Sequence, residues 1–234
     1  MPIILPTAPV KPTKVNPSVL VLYGPPKVGK TTLLAKLPGC LLIDVEDGSD
    51  YVEALKIKAA NPVEFREICA ELINKGKPYK YVAVDTIDAI EDWCEREATV
   101  AYKATNMGKT FTGSSVLELP MGAGYFWLRQ SFNRYLEILT RVAPYIILIG
   151  HVRDSVLQTT GNQEVQAKSL DLTGKIRNIV CSWADAIGYM TRNNDGQITI
   201  NFKTRELINC GGRCEHLLGK EMQFTSWDQI YKPE

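Results

Sequence analysis

Residues Gly24-Pro25-Pro26-Lys27-Val28-Gly29-Lys30-Thr31 spell G-x4-G-K-[ST], and no other feature narrows the possible folds as sharply. The motif follows an apolar run, Ser18 to Tyr23, and opens a stretch of helical spacing from Lys30 to Leu37 that Pro38-Gly39 stops. A tight glycine-bearing loop between a buried strand and a helix turns successive backbone N–H groups inward and cradles phosphate oxygens. Lys30 then reaches the β- and γ-phosphates, the Thr31 hydroxyl is placed to hold Mg²⁺, and Thr32 continues the cradle. The pattern implies a site for Mg·ATP.

Further strands and helices alternate behind this motif, the signature of a mostly parallel α/β sheet. Apolar runs at Cys40–Asp44, Tyr81–Asp85 and Tyr145–Ile149 read as buried strands. Helical spacing covers roughly 50–58, 62–75, a long segment from Asp85 to about Asn106, and 124–142, with a short helix over 174–182. Ala186–Thr191 and Gln197–Lys203, separated by Asn194-Asp195-Gly196, predict an antiparallel hairpin. The glycine-rich segment 107–123 and the polar segment 153–173 read as exposed loops. Residues 1–17 form a proline-rich, extended arm, and 18–234 are expected to make one domain.

The strand ends carry the chemistry. Asp85 closes an apolar strand of the Walker B type, where a carboxylate holds Mg²⁺ through water; the alternative is an ordinary cap on the following helix. Asp88 reads as first-turn helix chemistry. Hydrolysis also needs a group to orient the attacking water, and Glu46 is the first candidate, with Asp44 and Asp47 competing and a solvated acidic turn as the plain alternative. His151, after the fourth strand, is placed to sense the γ-phosphate or simply to cap its strand.

The order Walker A, Glu46, Asp85, His151 resembles the RecA-like ATPases. Leu41–Asp47 is similar to that family's strand-then-glutamate segment and Ile147–His151 to its sensor strand. The spelling of Gly24–Thr31 and Leu170–Lys175 is nearest to small phage-encoded members described as phage nucleotide-binding proteins, some of which act in single-strand annealing recombination. The resemblance covers roughly residues 18–205. It implies a RecA-like core that hydrolyses ATP between subunits of a ring or filament, acts on single-stranded DNA in recombination or replication, and works beside a single-strand-binding protein. It also implies that 107–123 and 153–173 are DNA-contacting loops, with Lys103, Lys109, Arg153, Lys168, Lys175 and Arg177 meeting phosphates. Tyr125, Phe126 and Trp127 offer stacking, although aromatic residues at helical spacing more often belong to a core. Lys203 and Arg205, with Arg213 behind them, are the candidates for a cation supplied to the neighbour's γ-phosphate. Two competing readings are a replication accessory or helicase loader that acts on a protein partner, and a small-molecule kinase with Arg192 or Arg205 in a lid.

Composition limits these choices. A net charge of +1 argues against a broadly basic nucleic-acid binder, so any DNA contact must be local or repeated across an oligomer. The N-terminus lacks the apolar segment of a signal peptide and no run is long enough to span a bilayer, which makes a cytoplasmic location, in the host if phage-encoded, the expectation. The six cysteines are expected to be reduced core residues. Cys210, Cys214 and His216 have a metal-like spacing but only three ligands, one short of a structural zinc site.

Overall fold

The computed structural model describes residues 5, 7–158, 164–204 and 207–233 of the 234-residue chain. The strands are β1 (Val19–Gly24), β2 (Cys40–Asp44), β3 (Lys56–Lys58), β4 (Tyr81–Asp85), β5 (Tyr145–Gln158), β6 (Glu164–Leu170), β7 (Ala186–Arg192), β8 (Ile198–Asn201), β9 (Gly211–Gly212) and β10 (Glu221–Gln223). The helices are α1 (Lys30–Ala35), α2 (Pro62–Asn74), α3 (Ile87–Lys103), α4 (Gly124–Leu139) and α5 (Gly174–Trp183). The sheet runs β10-β8-β7-β1-β5-β4-β2-β3, with β6 added to β5 and β9 to β7. From β7 through β3 neighbouring strands are parallel, whereas β8 and β10 at the other edge are antiparallel. This is the mostly parallel α/β layout expected from the alternation of strands and helices, with the expected antiparallel hairpin at the C-terminal edge.

The central strands read as unbroken apolar runs because both faces are covered. Val19, Val21 and Tyr23 of β1 join Ile146, Leu148, Val82 and Val84 in one core with α2, α3, α4 and α5. Leu20 and Leu22, with Ile147, Ile149 and Ala83, face the other core under α1 and the C-terminal segment. That segment is tied down at both ends. Trp227 Nε1 donates to the Leu33 carbonyl at 2.9 Å, and Asn16 exchanges two hydrogen bonds with the Lys232 backbone, at 2.8 and 2.7 Å. The short helix behind the phosphate loop is therefore held by residues nearly two hundred positions away.

Two segments differ from their sequence reading. Residues 50–58 were expected to be helical, but Lys56–Lys58 is a parallel edge strand on β2. The N–H of Leu42 donates to the Leu55 carbonyl at 2.8 Å and that of Ala59 to the Asp44 carbonyl at 2.9 Å; satisfying the otherwise bare edge of β2 outweighs helical propensity in so short a stretch. The expected loop 153–173 is largely an antiparallel arm, in which β5 runs past the sheet and pairs with β6 from Val152↔Leu170 to Gln158↔Glu164. Residues 159–163 of that reading lie outside the described residues. Segment 107–123 is a loop as expected, but a packed one: its Val116 is fully buried, and Thr99 Oγ1 accepts the Val116 N–H at 2.9 Å. Among the described residues, no helix is long and apolar enough to cross a membrane, and all six cysteines are free thiols. Cys210 instead donates to the Lys203 carbonyl and His216 Nε2 lies 2.8 Å from the Ile230 carbonyl, so each is already used locally.

Truncating Trp227 to alanine removes a buried ring and its bond to α1. We expect a loss of about 3 kcal/mol, read as a lower urea midpoint with an unchanged slope; an unchanged midpoint would show that the C-terminal segment does not hold α1.

Candidate nucleotide site

Strand β1 delivers the chain to the glycine-rich loop, and register then fixes the neighbours. Gly24 lies opposite His151 on β5, Asp85 opposite both Ile149 on β5 and Asp44 on β2. Asp44, Glu46, Asp85 and His151 therefore emerge at one edge of the sheet, where they line one cleft together with Lys30, Thr31, Thr32 and Arg192. The loop's backbone is specialised. Lys27 and Gly29 have positive φ of 63° and 105°, and Gly29 also leaves room for a neighbour, since a Cβ there would stand 2.6 Å from an Arg192 terminal nitrogen.

Lys30 Nζ donates to the loop carbonyls of Gly24 at 3.0 Å and Pro25 at 3.1 Å. Burial pulls its pKa below the ordinary lysine value, against the attraction of Asp85, Asp88 and Glu46. Thr31 Oγ1 donates to Asp85 Oδ2 at 2.6 Å. Burial raises the Asp85 carboxyl to about 6, although the Thr31 bond favours its charged form. A hydroxyl and a carboxylate joined at that distance are hard oxygen donors of the kind Mg²⁺ takes. The inward loop and a cation at its base suit a polyphosphate, so the residues present fit Mg·ATP.

The acidic turn after β2 divides its roles. Asp44 is buried and accepts the N–H groups of Glu46 at 3.1 Å, Gly48 at 3.3 Å and Ser49 at 2.9 Å. Burial works against its charge, but these bonds win and hold its pKa below the usual value. Asp44 thus shapes the turn. Asp47 points away to an ion pair with Lys58. Glu46 lines the cleft, with Oε1 accepting the Thr86 hydroxyl at 2.6 Å.

His151 is gripped twice by one residue. Its N–H donates to Asp88 Oδ1 at 3.3 Å, and its Nδ1 lies 2.6 Å from Asp88 Oδ2 and 3.9 Å from Glu46 Oε1. A carboxylate on Nδ1 places the proton there and leaves Nε2 as the other polar atom of the ring. Asp88 was read only as first-turn chemistry. It does sit in the first turn of α3, but its carboxylate serves His151. Its position three residues after Asp85 was the available signal. Arg192 is the second residue given too small a place by the sequence: its Nε donates to the Val28 carbonyl at 3.1 Å.

Of the candidates for a cation to a neighbouring copy, neither Lys203 nor Arg213 lines this cleft. Lys203 is exposed beyond β8, its N–H bonded to Asn201 Oδ1 at 2.8 Å. Arg213 is committed to the Ser182 carbonyl at 2.7 Å and to Asp185 at 3.5 Å. Arg205 lies outside the described residues. Of the basic residues read as DNA contacts, Lys168 pairs with Asp154 at 2.7 Å and Arg177 donates to Ser169 at 2.9 Å. Arg153 and Lys175 instead line a groove with Met121, Tyr125 and Arg129. Tyr125 and Phe126 are 41% and 50% exposed, which removes both from the core.

Comparison with protein families gives a match to the AAA domain over residues 16–214. Comparison with curated protein sequences gives no match. Solved structures that match include the crystal structure of the RadB recombinase, 15% identical over 90% of this chain and 89% of that one, with a TM-score of 0.46.

The raised Asp85 pKa makes a signed prediction. Its charged form is disfavoured by folding, so the stability it contributes is present below about pH 3.8 and is lost as pH rises through about 6. Asp85→Asn should therefore raise the melting temperature of nucleotide-free protein at pH 8 by several degrees and leave it almost unchanged near pH 4. A variant less stable than wild type at pH 8 would contradict this.

Proposed function

The chain belongs to the AAA domain family, and from that premise we propose that it is a Mg²⁺-dependent ATPase acting on single-stranded DNA in recombination or replication, with ATP held between copies of the chain. The observation that carries the reading is the convergence of Lys30, the Thr31–Asp85 pair, Glu46 and the Asp88–His151 pair on one cleft. Lys27 to Thr32 surround the phosphates with backbone N–H groups, which Pro25 and Pro26 lack, and Lys30 exchanges its loop carbonyls for the β- and γ-phosphates. Thr31 and Asp85 hold Mg²⁺, which when bound offsets charge on the phosphates. Glu46, with one oxygen on Thr86, orients water with the other. His151, its ring fixed by Asp88, senses the γ-phosphate through Nε2. Lys203 or Arg205 of a neighbouring copy supplies a further cation there.

DNA action is supported by the route from cleft to groove. His151 and Arg153 are two residues apart on β5, one beside the phosphate loop and the other in the groove with Tyr125, Arg129 and Lys175. Cations beside an exposed aromatic ring suit a single strand, whose phosphates and base faces both need partners. A shift of β5 on phosphate loss then changes the hold on the strand.

Steady-state ATPase assays with and without single-stranded DNA, alongside light scattering, test the proposal. DNA should raise the rate and nucleotide should drive assembly. Glu46→Gln should bind ATP yet turn it over at least about 100-fold more slowly. A DNA-independent rate from a monomer would sink the DNA-acting reading. Removing both groove cations, Arg153→Ala with Lys175→Ala, should weaken DNA binding and reduce its log–log salt slope by about 1–2; an unchanged slope would place the DNA elsewhere.

A further inference from the structure

Among the described residues Arg192 is the one arginine in the cleft, and the roles proposed above do not use it. It ends β7, which flanks β1 on the side opposite β5. The sheet therefore separates two sets of groups. His151 lies within β5, Asp85 ends β4 and Glu46 follows β2, all on one flank of the phosphate loop, where the transferring phosphoryl belongs. Arg192 approaches from the other flank.

Its geometry is that of an anchored fork. Nε is spent on the Val28 carbonyl, which fixes the guanidinium plane against the rim of the loop. One terminal nitrogen lies 2.6 Å from where a Gly29 Cβ would stand, so the fork crosses the face of Gly29. Among the described residues it forms no ion pair: the described salt bridges engage other cations. A guanidinium fixed through Nε offers its outer N–H groups in a plane that matches two oxygens of a phosphate.

Resting on the nucleotide reading above, we propose that Arg192 binds the nucleotide from within the same chain, at the α- and β-phosphates, the part of the phosphate chain that ATP and ADP share. It is then a ground-state binding residue, distinct from a cation that a neighbouring copy brings to the γ-phosphate. It also makes ADP retention a property of the single chain.

The test is calorimetric titration of ADP and of ATP into wild type, Arg192→Ala, Arg192→Gln and Arg192→Lys, at low and moderate salt, with thermal melts to establish folding. Arg192→Ala and Arg192→Gln should each weaken ADP by about tenfold, and ATP by the same factor, with the loss smaller at higher salt. Arg192→Lys should recover part of the affinity. Wild-type affinity in Arg192→Gln, which keeps a donor for Val28 but no charge, would show a loop brace and overturn the proposal. A loss confined to ATP would do the same by placing the contact at the γ-phosphate. Normal wild-type binding in either case would leave the nucleotide reading standing, whereas wild-type protein that binds neither nucleotide would remove both.

Discussion

Thr31 Oγ1 donates to Asp85 Oδ2 at 2.6 Å, and that bond spans the sheet. Thr31 belongs to α1 behind β1, Asp85 to the end of β4, and β5 lies between the two strands. Here it reaches across the inserted β5, which must be in register with both neighbours at that edge. Gly24 opposite His151 and Asp85 opposite Ile149 meet that condition. The inserted strand then brings His151 to the phosphate loop without any separate device, and the two covered faces of the sheet make the arrangement rigid. Burial is also what raises the Asp85 carboxyl to about 6. The site is destabilised by its own geometry when no cation offsets the charge.

Beyond His151 the same strand leaves the sheet and becomes one side of the β5–β6 arm. The arm is moored through β6. The Lys168 N–H donates to the Leu207 carbonyl at 2.6 Å, and the Lys168 carbonyl accepts the Asn209 N–H at 2.9 Å. Tyr23, one residue before the glycine-rich loop, donates to the Asn209 carbonyl at 2.9 Å. The cleft and the arm thus share two mechanical links, β5 itself and the Tyr23 hydroxyl. The proposed passage of a phosphate-dependent change to a binding surface needs such continuity, and packed strands transmit displacement because close-packed interiors do not absorb it.

How much of this was legible varied with the range of the determining contacts. The strand, tight loop and helix around Gly24–Thr31 were legible outright, because eight consecutive residues fix that backbone. The buried parallel strands were legible because covered faces impose unbroken apolar runs. The arm was half legible: Val165, Ala167 and Ser169 alternate with polar residues as a half-covered strand should, but the polar turn beside them dominated the reading. Strand β3 was not legible, since three residues with two lysines carry no periodicity and form a strand only because β2 has an edge to fill. Asp88 and Arg192 were missed as site residues for a related reason. Their partners, His151 and Val28, are 63 and 164 positions away, and the one local hint was Asp88's place three residues after Asp85.

The central claim is that the cleft binds a nucleotide through a cation held by the Thr31–Asp85 pair, and one titration tests it directly. ATP should be titrated into wild-type protein by calorimetry with Mg²⁺ in excess and again with the metal chelated, in two buffers of different ionisation enthalpy. The account predicts binding at least about tenfold tighter with Mg²⁺, with proton release near pH 6 as Asp85 takes up its charge. Equal affinity with and without the metal, or no proton release at that pH, would contradict it.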